Sequence, residues 1–374
     1  MKLLSFSAKK KFNYSILLFI LMLFLLVIGC LFVYSSSFYS AEITYNDKFY
    51  FLKKQLFGIV VGLVCYFVFS KIDYHFYSKI KWYLFAVSLI LLALVFVPKI
   101  GVTNYGATRW INLGFITFQP SEIAKFSFII LSADILSKSE NIIKSFKGII
   151  PILIIGGIYC VLIIIEPNMS ITICMALLVV VMLFLGGMSF KHFLILSVPA
   201  VMVVVLLIVV EPYRLKRLVA FLDPFDSKQD EGFHLVQSLL GLALGSFFGS
   251  GIFNSRQKYL FLPFSESDFI FSIIAEETGF VGSLFVLILF LSLFFVIIKI
   301  AKVSKDKFGF LLASGIGSLI IIQVLLNISV VTGLVPPTGL PLPFISAGST
   351  SLIVFMSAIG VVLNVYRQSR KSKI

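Results

Sequence analysis

Long apolar runs, each close to the length of a membrane-spanning helix, recur along most of the chain. A helix needs roughly 20 mostly apolar residues to cross the hydrocarbon core of a bilayer. Ten runs approach that length: residues 14–34, 55–70, 82–98, 119–136, 148–165, 169–187, 192–210, 274–298, 308–331 and 345–365. The pattern predicts an all-α polytopic membrane protein of about ten transmembrane helices.

The overall composition supports the same interpretation. Of the 374 residues, 59% are hydrophobic and only 13% are charged. A water-soluble domain cannot cover its surface with so few charges, so lipid must be the solvent for much of the chain. We therefore expect a single membrane domain over residues 1–374, with no appended soluble module.

The net charge of +14 is distributed unevenly. With the N-terminus placed in the cytoplasm, 19 of the 31 basic residues fall in cytoplasmic segments: Lys2, Lys9, Lys10, Lys11, Lys71, Lys79, Lys81, Lys138, Lys144, Lys147, Lys191, Lys299, Lys302, Lys305, Lys307, Arg367, Arg370, Lys371 and Lys373. The acidic residues that oppose them there are Asp73, Asp134, Glu140 and Asp306. This positive-inside pattern predicts that both termini are cytoplasmic. Because the basic surplus anchors the topology, no nucleic-acid partner is needed to explain it.

The segments predicted to face outward differ greatly in length. The longest, residues 211–273, lies between the seventh and eighth apolar runs and is predicted to be an extracytoplasmic loop. Functional residues concentrate on loops, so this segment is the first candidate for the site. Within it, residues 234–249 have the pattern of an interfacial helix that ends in glycines. Such a helix either caps the bundle or forms a platform for a lipid-linked substrate.

Charged residues within the apolar runs are costly and usually mark a site or a buried pair. Glu122 and Lys125 are three residues apart at the start of the fourth run, so they lie on one helix face and can pair. They form either a structural ion pair or the lining of a polar cavity that receives an anionic group. Glu276 and Glu277 are adjacent and point about 100° apart on a helix. We expect one of them to be structural and the other to line a cavity.

Asp268 lies where the long loop re-enters the membrane, beside Phe264, Phe269 and Phe271. A carboxylate at this boundary is partly desolvated, so it can act as a general base or bind a divalent cation such as Mg²⁺ or Mn²⁺. An aspartate that opens a helix can also serve as its N-cap. The chemistry of this residue alone leaves these roles open.

The chain matches no catalytic template of soluble enzymes. It contains no P-loop, nucleophile elbow, dinucleotide fingerprint or His/Cys metal cluster. Its four cysteines all fall within the apolar runs, where cysteines behave as small hydrophobic residues.

Several longer motifs, taken together, resemble the SEDS family of FtsW, RodA and SpoVE proteins. The most specific is the segment 254–258 (Asn-Ser-Arg-Gln-Lys), followed by Leu262-Pro263 and by residues 267–271 (Ser-Asp-Phe-Ile-Phe). Supporting stretches are residues 108–114, 119–125, 232–238, and Gln323-x3-Asn327 leading to residues 333–346. Within the family, the 254–258 and 338–344 segments are more similar to the division branch than to the elongation branch.

The resemblance implies a glycosyltransferase that polymerises lipid II into glycan strands at the outer face of the bacterial cytoplasmic (inner) membrane, at the division septum. Asp268 would be the base that deprotonates the acceptor hydroxyl, with metal binding as the competing role. The candidates to hold the leaving pyrophosphate are Arg109, Lys125, Arg256 and Lys258. Further substrate-binding candidates within the motifs are Glu122, Gln237, Ser238, Gln257 and Ser346. The implied partners are a class B penicillin-binding transpeptidase and other membrane proteins of the division machinery.

Three alternatives remain open at the level of sequence. One is a lipid II flippase in which the Glu122–Lys125 pair lines the path. Another is an elongation glycosyltransferase of the same family. The third is a scaffold whose activity has lapsed, because the chain departs from the usual motifs. The departures are Asn168 and Ser170 in place of Asp and Gly, Ala347 and Ser349 in place of Tyr and Gly, Phe264 and Glu266 in place of Glu and His, and Ser246 in place of Gly.

Overall fold

The structure is a computed structural model. It describes residues 13–98, 100–104, 107–112, 117–138, 145–210, 212–224, 232–337 and 339–371. Some residues named above lie outside this described part: Lys2, Lys9, Lys10, Lys11, Glu140, Lys144, Thr338, Lys373, residues 113–114 of the 108–114 motif, and residues 211 and 225–231 of the long loop.

The described chain is mainly helical. The helices are α1 (Tyr14–Tyr45), α2 (Tyr50–Phe69), α3 (His75–Leu94), α4 (Pro120–Lys138), α5 (Phe146–Ile165), α6 (Met169–Gly186), α7 (Phe190–Val210), α8 (Pro212–Leu222), α9 (Phe233–Gly245), α10 (Ile270–Val303), α11 (Lys307–Val331) and α12 (Ser349–Lys371). The strands are β1 (Gly101–Asn104), β2 (Ala107–Asn112) and β3 (Thr117–Phe118).

The polytopic helical fold predicted from the apolar runs is confirmed. Eight of the described helices are long and apolar enough to cross a membrane, namely α1, α2, α3, α5, α6, α10, α11 and α12. The two remaining predicted runs correspond to α4 and α7. Helix α4 carries Glu122, Lys125, Asp134 and Lys138, so its charge content lowers its hydropathy although it is buried within the bundle.

The strands form a small antiparallel sheet in the order β1-β2-β3, between α3 and α4. Gly101 pairs with Ile111, and Ile111 pairs in turn with Phe118. The apolar pattern does not predict these strands, so the sheet is an addition to the all-α prediction. The sheet carries Arg109 on its central strand, β2.

Helix α1 continues eleven residues past the predicted end of the first run and includes a polar serine stretch. The hydroxyls of Ser36 and Ser37 donate to the carbonyl of Val33, at 3.2 and 2.6 Å. Such bonds back to the preceding turn satisfy serine hydroxyls inside a buried helix. This extension brings the outer third of α1 against the long loop.

The centre of the bundle is formed by α11 and α12. Within their candidate spans, 78% of the α11 residues and 67% of the α12 residues are buried, against 22% for α2 and 17% for α3. Helix α2 meets α12 through glycines, and a Cβ added at Gly62 would lie 2.4 Å from the sulfur of Met356. Small residues allow this close approach of helices in lipid. The peripheral helices therefore present most of their surface outward.

Candidate functional site

Two adjacent carboxylates of α10 hold the 254–258 segment. Glu276 accepts hydrogen bonds from the backbone N–H of Arg256 at 2.7 Å and from the hydroxyl of Ser255. Glu277 accepts from the backbone N–H of Phe253 at 3.0 Å and of Ser255 at 3.3 Å. Both carboxylates are buried. The expected division into one structural and one cavity-lining carboxylate is wrong, because both carboxylates accept hydrogen bonds from the same loop segment.

Lys258 is enclosed within the same assembly. Its ammonium group lies 2.9 Å from Glu277 Oε1 and 3.4 Å from the hydroxyl of Ser35, and it sits over the ring of Phe38. The Lys258 and Glu277 side chains are both fully buried. In this conformation the Lys258 charge is neutralised by the fold, so contact with a pyrophosphate requires the ion pair to open.

The rest of the 254–258 segment divides between buried and exposed residues. Gln257 is buried, and its backbone N–H donates to Glu276 at 3.4 Å. Arg256 has an exposed side chain on a backbone fixed by Glu276. Of the two cationic residues in the segment, Arg256 is therefore the one that presents its side chain outward.

Asp268 is half-buried and lies two residues before α10. Phe269 occupies the N-cap position of α10 and makes no side-chain capping hydrogen bond, so Asp268 lies one residue before the N-cap. The backbone carbonyl of Asp268 accepts a hydrogen bond of 2.8 Å from the side-chain amide of Asn327 on α11. Its carboxylate faces Gly339, where an added Cβ would lie 3.0 Å from Oδ2. Two separate elements therefore fix the main chain and the surroundings of this residue.

The Gly339–Leu342 segment forms one wall beside Asp268. The side-chain amide of Gln323 donates to the carbonyl of Pro341 at 2.9 Å, and that of Asn327 donates to the carbonyl of Leu340 at 2.7 Å. Gln323 and Asn327 are one helical turn apart, so both point from α11 to the same segment. Two amides in an apolar helix thus anchor a proline-rich segment that makes few hydrogen bonds of its own.

Ser346 and Ser170 complete the anchoring of the Gly339–Leu342 segment. The Ser346 hydroxyl donates to the carbonyl of Ser267 at 2.6 Å and accepts from the N–H of Leu342 at 2.7 Å. The Ser170 hydroxyl accepts from the N–H of Gly339 at 2.8 Å. Ser346, predicted to bind substrate, has its hydroxyl engaged within the fold next to Asp268. Its substrate contact stays a prediction.

Arg109 reaches the same region from the sheet. Its guanidinium donates to the carbonyl of Glu166 at 3.4 Å and to that of Pro167. These carbonyls belong to the turn between α5 and α6, and Ser170 at the start of α6 holds Gly339. The turn therefore links Arg109 to the wall beside Asp268, although Arg109 and Gly339 are far apart in sequence.

Glu166 is a buried carboxyl within this turn. Its two carboxylate oxygens have no hydrogen-bond partner among the residues that the structure describes. Burial raises the pKa of Glu166 to about 8, and the charge of Arg109 offsets that increase only in part. The group is therefore mainly protonated at neutral pH, which avoids the cost of burying an unpaired charge.

Glu122 and Lys125 form the ion pair that their spacing predicts. Lys125 Nζ lies 2.8 Å from Glu122 Oε1, with exposures of 0% and 1%. Lys125 also donates to Gln323 Oε1 at 2.7 Å, and Ser351 donates to Glu122 Oε2 at 3.2 Å. Because Gln323 also holds Pro341, the ion pair is connected to the wall beside Asp268. The predicted substrate contacts of Glu122 and Lys125 require this buried network to open, and they stay predictions.

Gln237 and Ser238 lie on α9, which packs closely on α10. A Cβ added at Gly245 would lie 2.0 Å from the carbonyl oxygen of Ala275, so the crossing requires glycine. Ser238 is buried and donates to the carbonyl of Val331 at 2.9 Å, whereas Gln237 is partly exposed. These contacts favour the interpretation of α9 as a cap on the bundle. They leave Gln237 as the residue of the pair that is accessible to a substrate.

Several departures from the usual motifs are accommodated by the fold. Asn168 is the N-cap of α6, where its side chain accepts from the N–H of Ile171, a role that Asn and Asp share. Ala347 contributes its backbone N–H, which donates to the carbonyl of Glu266 at 2.9 Å. Burial raises the pKa of the Glu266 carboxyl. Asn168 and Ala347 therefore both make local hydrogen bonds within the fold.

Ser170, Gln323 and Asn327 were not among the predicted site residues, although the motifs included the two amides. The available signal was the presence of two amides, four residues apart, inside an otherwise apolar run, because buried polar groups in a membrane helix need partners. Ser170 gave no comparable signal, since its partner Gly339 is 169 residues away.

The described part of the chain contains no group of three or more His, Cys, Asp or Glu side chains placed to hold a metal ion. Magnesium is often bound by one or two carboxylates together with substrate phosphates and water, so a single aspartate fits this kind of site.

Comparison with known proteins gives consistent matches. The family model FTSW_RODA_SPOVE, described as cell cycle protein, matches residues 15–371. Stage V sporulation protein E of Bacillus subtilis (strain 168) is 38% identical over 362 residues, covering 96% of this chain and 99% of that protein. The probable peptidoglycan glycosyltransferase FtsW of Geobacter sp. (strain M18) is 37% identical over 359 residues, covering 96% and 98%.

Solved structures agree with these relatives. A chain from a peptidoglycan synthase complex, described in terms of coordinated polymerization and crosslinking, superposes with a TM-score of 0.80 at 27% identity, covering 97% of this chain and 99% of that one. The rod shape determining protein RodA of Thermus thermophilus superposes with a TM-score of 0.72 at 24% identity, covering 97% and 99%, and shows the same fold. The resemblance drawn from the motifs is confirmed. With a family model and relatives that match along nearly its whole length, the chain belongs to the FtsW/RodA/SpoVE cell cycle protein family, the SEDS family.

Proposed function

We propose that this protein is a peptidoglycan glycosyltransferase that polymerises lipid II into glycan strands during septal cell-wall synthesis. The observation that carries the proposal is the position of Asp268. Its half-buried carboxylate lies at the predicted outer boundary of the membrane, between an anchored backbone and the wall formed by Gly339–Leu342. The relatives named as probable peptidoglycan glycosyltransferases support the reaction type.

In the proposed reaction, Asp268 is the general base. It takes the proton from the acceptor hydroxyl as the oxygen of that hydroxyl attacks the anomeric carbon of the donor. A new carbon–oxygen bond forms, and the bond from the anomeric carbon to the lipid diphosphate breaks. The diphosphate leaves with the electron pair of that bond. Partial burial keeps the carboxylate close to its target and limits competition from water.

Cationic side chains would stabilise the leaving diphosphate, because fixed positive charge favours developing negative charge. Arg256 is exposed. Arg109 bonds the turn between α5 and α6, and Ser170, just after that turn, accepts a hydrogen bond from Gly339. These two arginines are therefore the first candidates. Lys125 and Lys258 are engaged in buried ion pairs and would contribute only after those pairs open. In the competing assignment, Asp268 would instead bind a divalent cation, which would add charge neutralisation at the diphosphate.

The proposed partner is a class B penicillin-binding transpeptidase, together with other membrane proteins of the division machinery. The structural relative from a peptidoglycan synthase complex supports a transpeptidase partner. A septal role is supported by the relatives named as probable FtsW, at 34–37% identity. The proposed location is the bacterial cytoplasmic membrane at the septum.

The reaction is tested with purified full-length protein, alone and with its transpeptidase, supplied with fluorescent lipid II with and without Mg²⁺ or Mn²⁺. Glycan strands resolved on a gel are the expected product. A flippase would instead move lipid II across liposomes without forming strands. The buried Glu122–Lys125 pair is the feature that a flippase would use, so Lys125→Met would abolish that movement while Asp268→Asn would not. Strand formation with no lipid II movement separates the two functions.

A further inference from the structure

A single side chain, Asn327 on α11, fixes both the backbone of Asp268 and the wall that faces its carboxylate. Asn327 is buried at 1% exposure. Its amide nitrogen donates to the carbonyl of Asp268 at 2.8 Å and to that of Leu340 at 2.7 Å. A side-chain amide has two N–H donors, so both donors serve these two carbonyls.

The first of these bonds restricts where the Asp268 carboxylate can lie. An aspartate side chain has only two rotatable bonds, so its reach is determined mainly by its own main chain. Asp268 lies outside α10, which begins at Ile270. The bond from Asn327 supplies a fixed point at this residue.

The second bond restricts the opposite side of the same carboxylate. Leu340 follows Gly339, and a Cβ at Gly339 would lie 3.0 Å from Asp268 Oδ2. A shift of the Leu340 carbonyl would therefore move the atoms that face the carboxylate. Because one rigid amide holds both carbonyls, the distance between the carboxylate and its wall depends on Asn327.

We propose that Asn327 is a positioning residue for Asp268, an inference that rests on the proposed role of Asp268 as the base. Asn327 is buried and acts through the two carbonyls rather than by touching substrate. Leucine has nearly the same size but no donors, so Asn327→Leu leaves the carbonyls of Asp268 and Leu340 without these bonds, and the carbonyls move to find others. A misplacement of about 1 Å can lower turnover by about 10²-fold.

The experiment compares variants of the full-length protein, purified with its transpeptidase and assayed with fluorescent lipid II. Asn327→Leu is expected to lower kcat by about 10- to 100-fold, with KM for lipid II within about threefold of wild type. Asn327→Gln keeps the donors and is expected to recover part of the lost kcat. The acid limb of the pH profile of kcat is expected to shift in Asn327→Leu, because the surroundings of the base change.

Asn364→Leu is the matched control. Asn364 is also a buried asparagine in an apolar helix, where its amide donates to the carbonyl of Ser70 at 3.0 Å and accepts from the N–H of Tyr74 at 3.0 Å. It lies at the end of α12 that meets α2 and α3, away from Asp268. This variant is expected to lower Tm as Asn327→Leu does, with kcat within about threefold of wild type. An equal loss of kcat in both variants would reduce Asn327 to a general structural role and overturn the proposal.

Hydrogen–deuterium exchange gives a second measurement that does not depend on activity. Peptides covering residues 264–269 and 339–346 are expected to exchange faster in Asn327→Leu than in wild type, and to be unchanged in Asn364→Leu. Wild-type kcat or unchanged exchange in Asn327→Leu overturns the proposal. If the wild-type protein forms no glycan strands, the proposed function fails, and the exchange comparison alone then decides whether Asn327 holds the two segments.

Discussion

Gly339 lies directly against Asp268: a Cβ atom added at Gly339 would be 3.0 Å from the Oδ2 atom of the carboxylate. This distance is shorter than ordinary contact between carbon and oxygen, so a Cβ at position 339 requires the Asp268 carboxylate to shift by a few tenths of an ångström. The glycine is needed here for close approach rather than for backbone conformation.

Gly339→Ala is therefore expected to displace the Asp268 carboxylate and to lower the rate of lipid II polymerisation by about tenfold or more. Gly157→Ala on α5 is the matched control, because no atom lies within 4 Å of a Cβ added there. The rate of strand formation and the Tm are measured for both variants. A Gly339→Ala protein as active as Gly157→Ala would show that the carboxylate does not depend on this contact.

The buried Lys258–Glu277 pair makes a different prediction. Removing one partner of such a pair leaves an uncompensated buried charge, which typically costs about 3–5 kcal/mol. Lys258→Met is expected to lower the thermal stability of the protein strongly, and the double variant Lys258→Met/Glu277→Gln is expected to lose less than the sum of the two single changes. Thermal unfolding in detergent measures all three.

The same variants separate a structural from a substrate-binding role for Lys258. If Lys258→Met keeps the wild-type Tm but raises KM for lipid II, the lysine contacts substrate. The Lys258–Glu277 pair then does not contribute measurably to stability. A loss of stability with partial recovery in the double variant identifies the pair as a support for the 254–258 segment.

Glu166 predicts a pH dependence of stability. Burial raises its pKa in the folded protein to about 8, whereas the pKa of an exposed glutamate is about 4.3. Between these values the unfolded chain has lost the proton that the folded chain still binds, so stability falls as the pH rises from about 4.5 to about 8. Each pKa unit corresponds to about 1.4 kcal/mol, which gives a total of about 3–5 kcal/mol over this interval.

Glu166→Gln cannot titrate and resembles the protonated form. Its Tm is expected to fall less than that of wild type between pH 5 and pH 8, with the difference largest at the upper end. Scanning fluorimetry of the two proteins over this range measures the effect. Parallel Tm profiles would mean that the carboxyl is ionised in the folded protein at neutral pH.

The architecture could be predicted from the sequence because the apolar runs in lipid have few alternatives to helices. The extension of α1 past Tyr34 could not be predicted, because Ser36 and Ser37 are polar residues that interrupt the apolar run. Their hydrogen bonds to the carbonyl of Val33 form only within the helix. The sheet was missed because its strands are only two to six residues long.

The candidate site was predicted in part. The spacing of Glu122 and Lys125 predicts their ion pair, which the structure confirms. The burial of Lys258 could not be predicted, because its partners Ser35 and Glu277 come from two distant helices. For the same reason the sequence did not reveal that Asn327 bonds the main chain at Asp268, 59 residues away. Contacts between remote segments, rather than residue types, decide which charges face a substrate.

Asp268→Asn provides the most direct test of the proposed function, since it removes the base and keeps the size of the side chain. Asp47→Asn is the matched control, because Asp47 lies in the loop between α1 and α2 and pairs with Lys53 at 2.7 Å, away from the site. Each protein is purified with its transpeptidase and supplied with fluorescent lipid II, and the glycan strands formed are measured. We expect Asp47→Asn to polymerise as wild type does and Asp268→Asn to form no strands at unchanged expression and Tm. Strand formation by Asp268→Asn at the wild-type rate would contradict the assignment of Asp268 as the base.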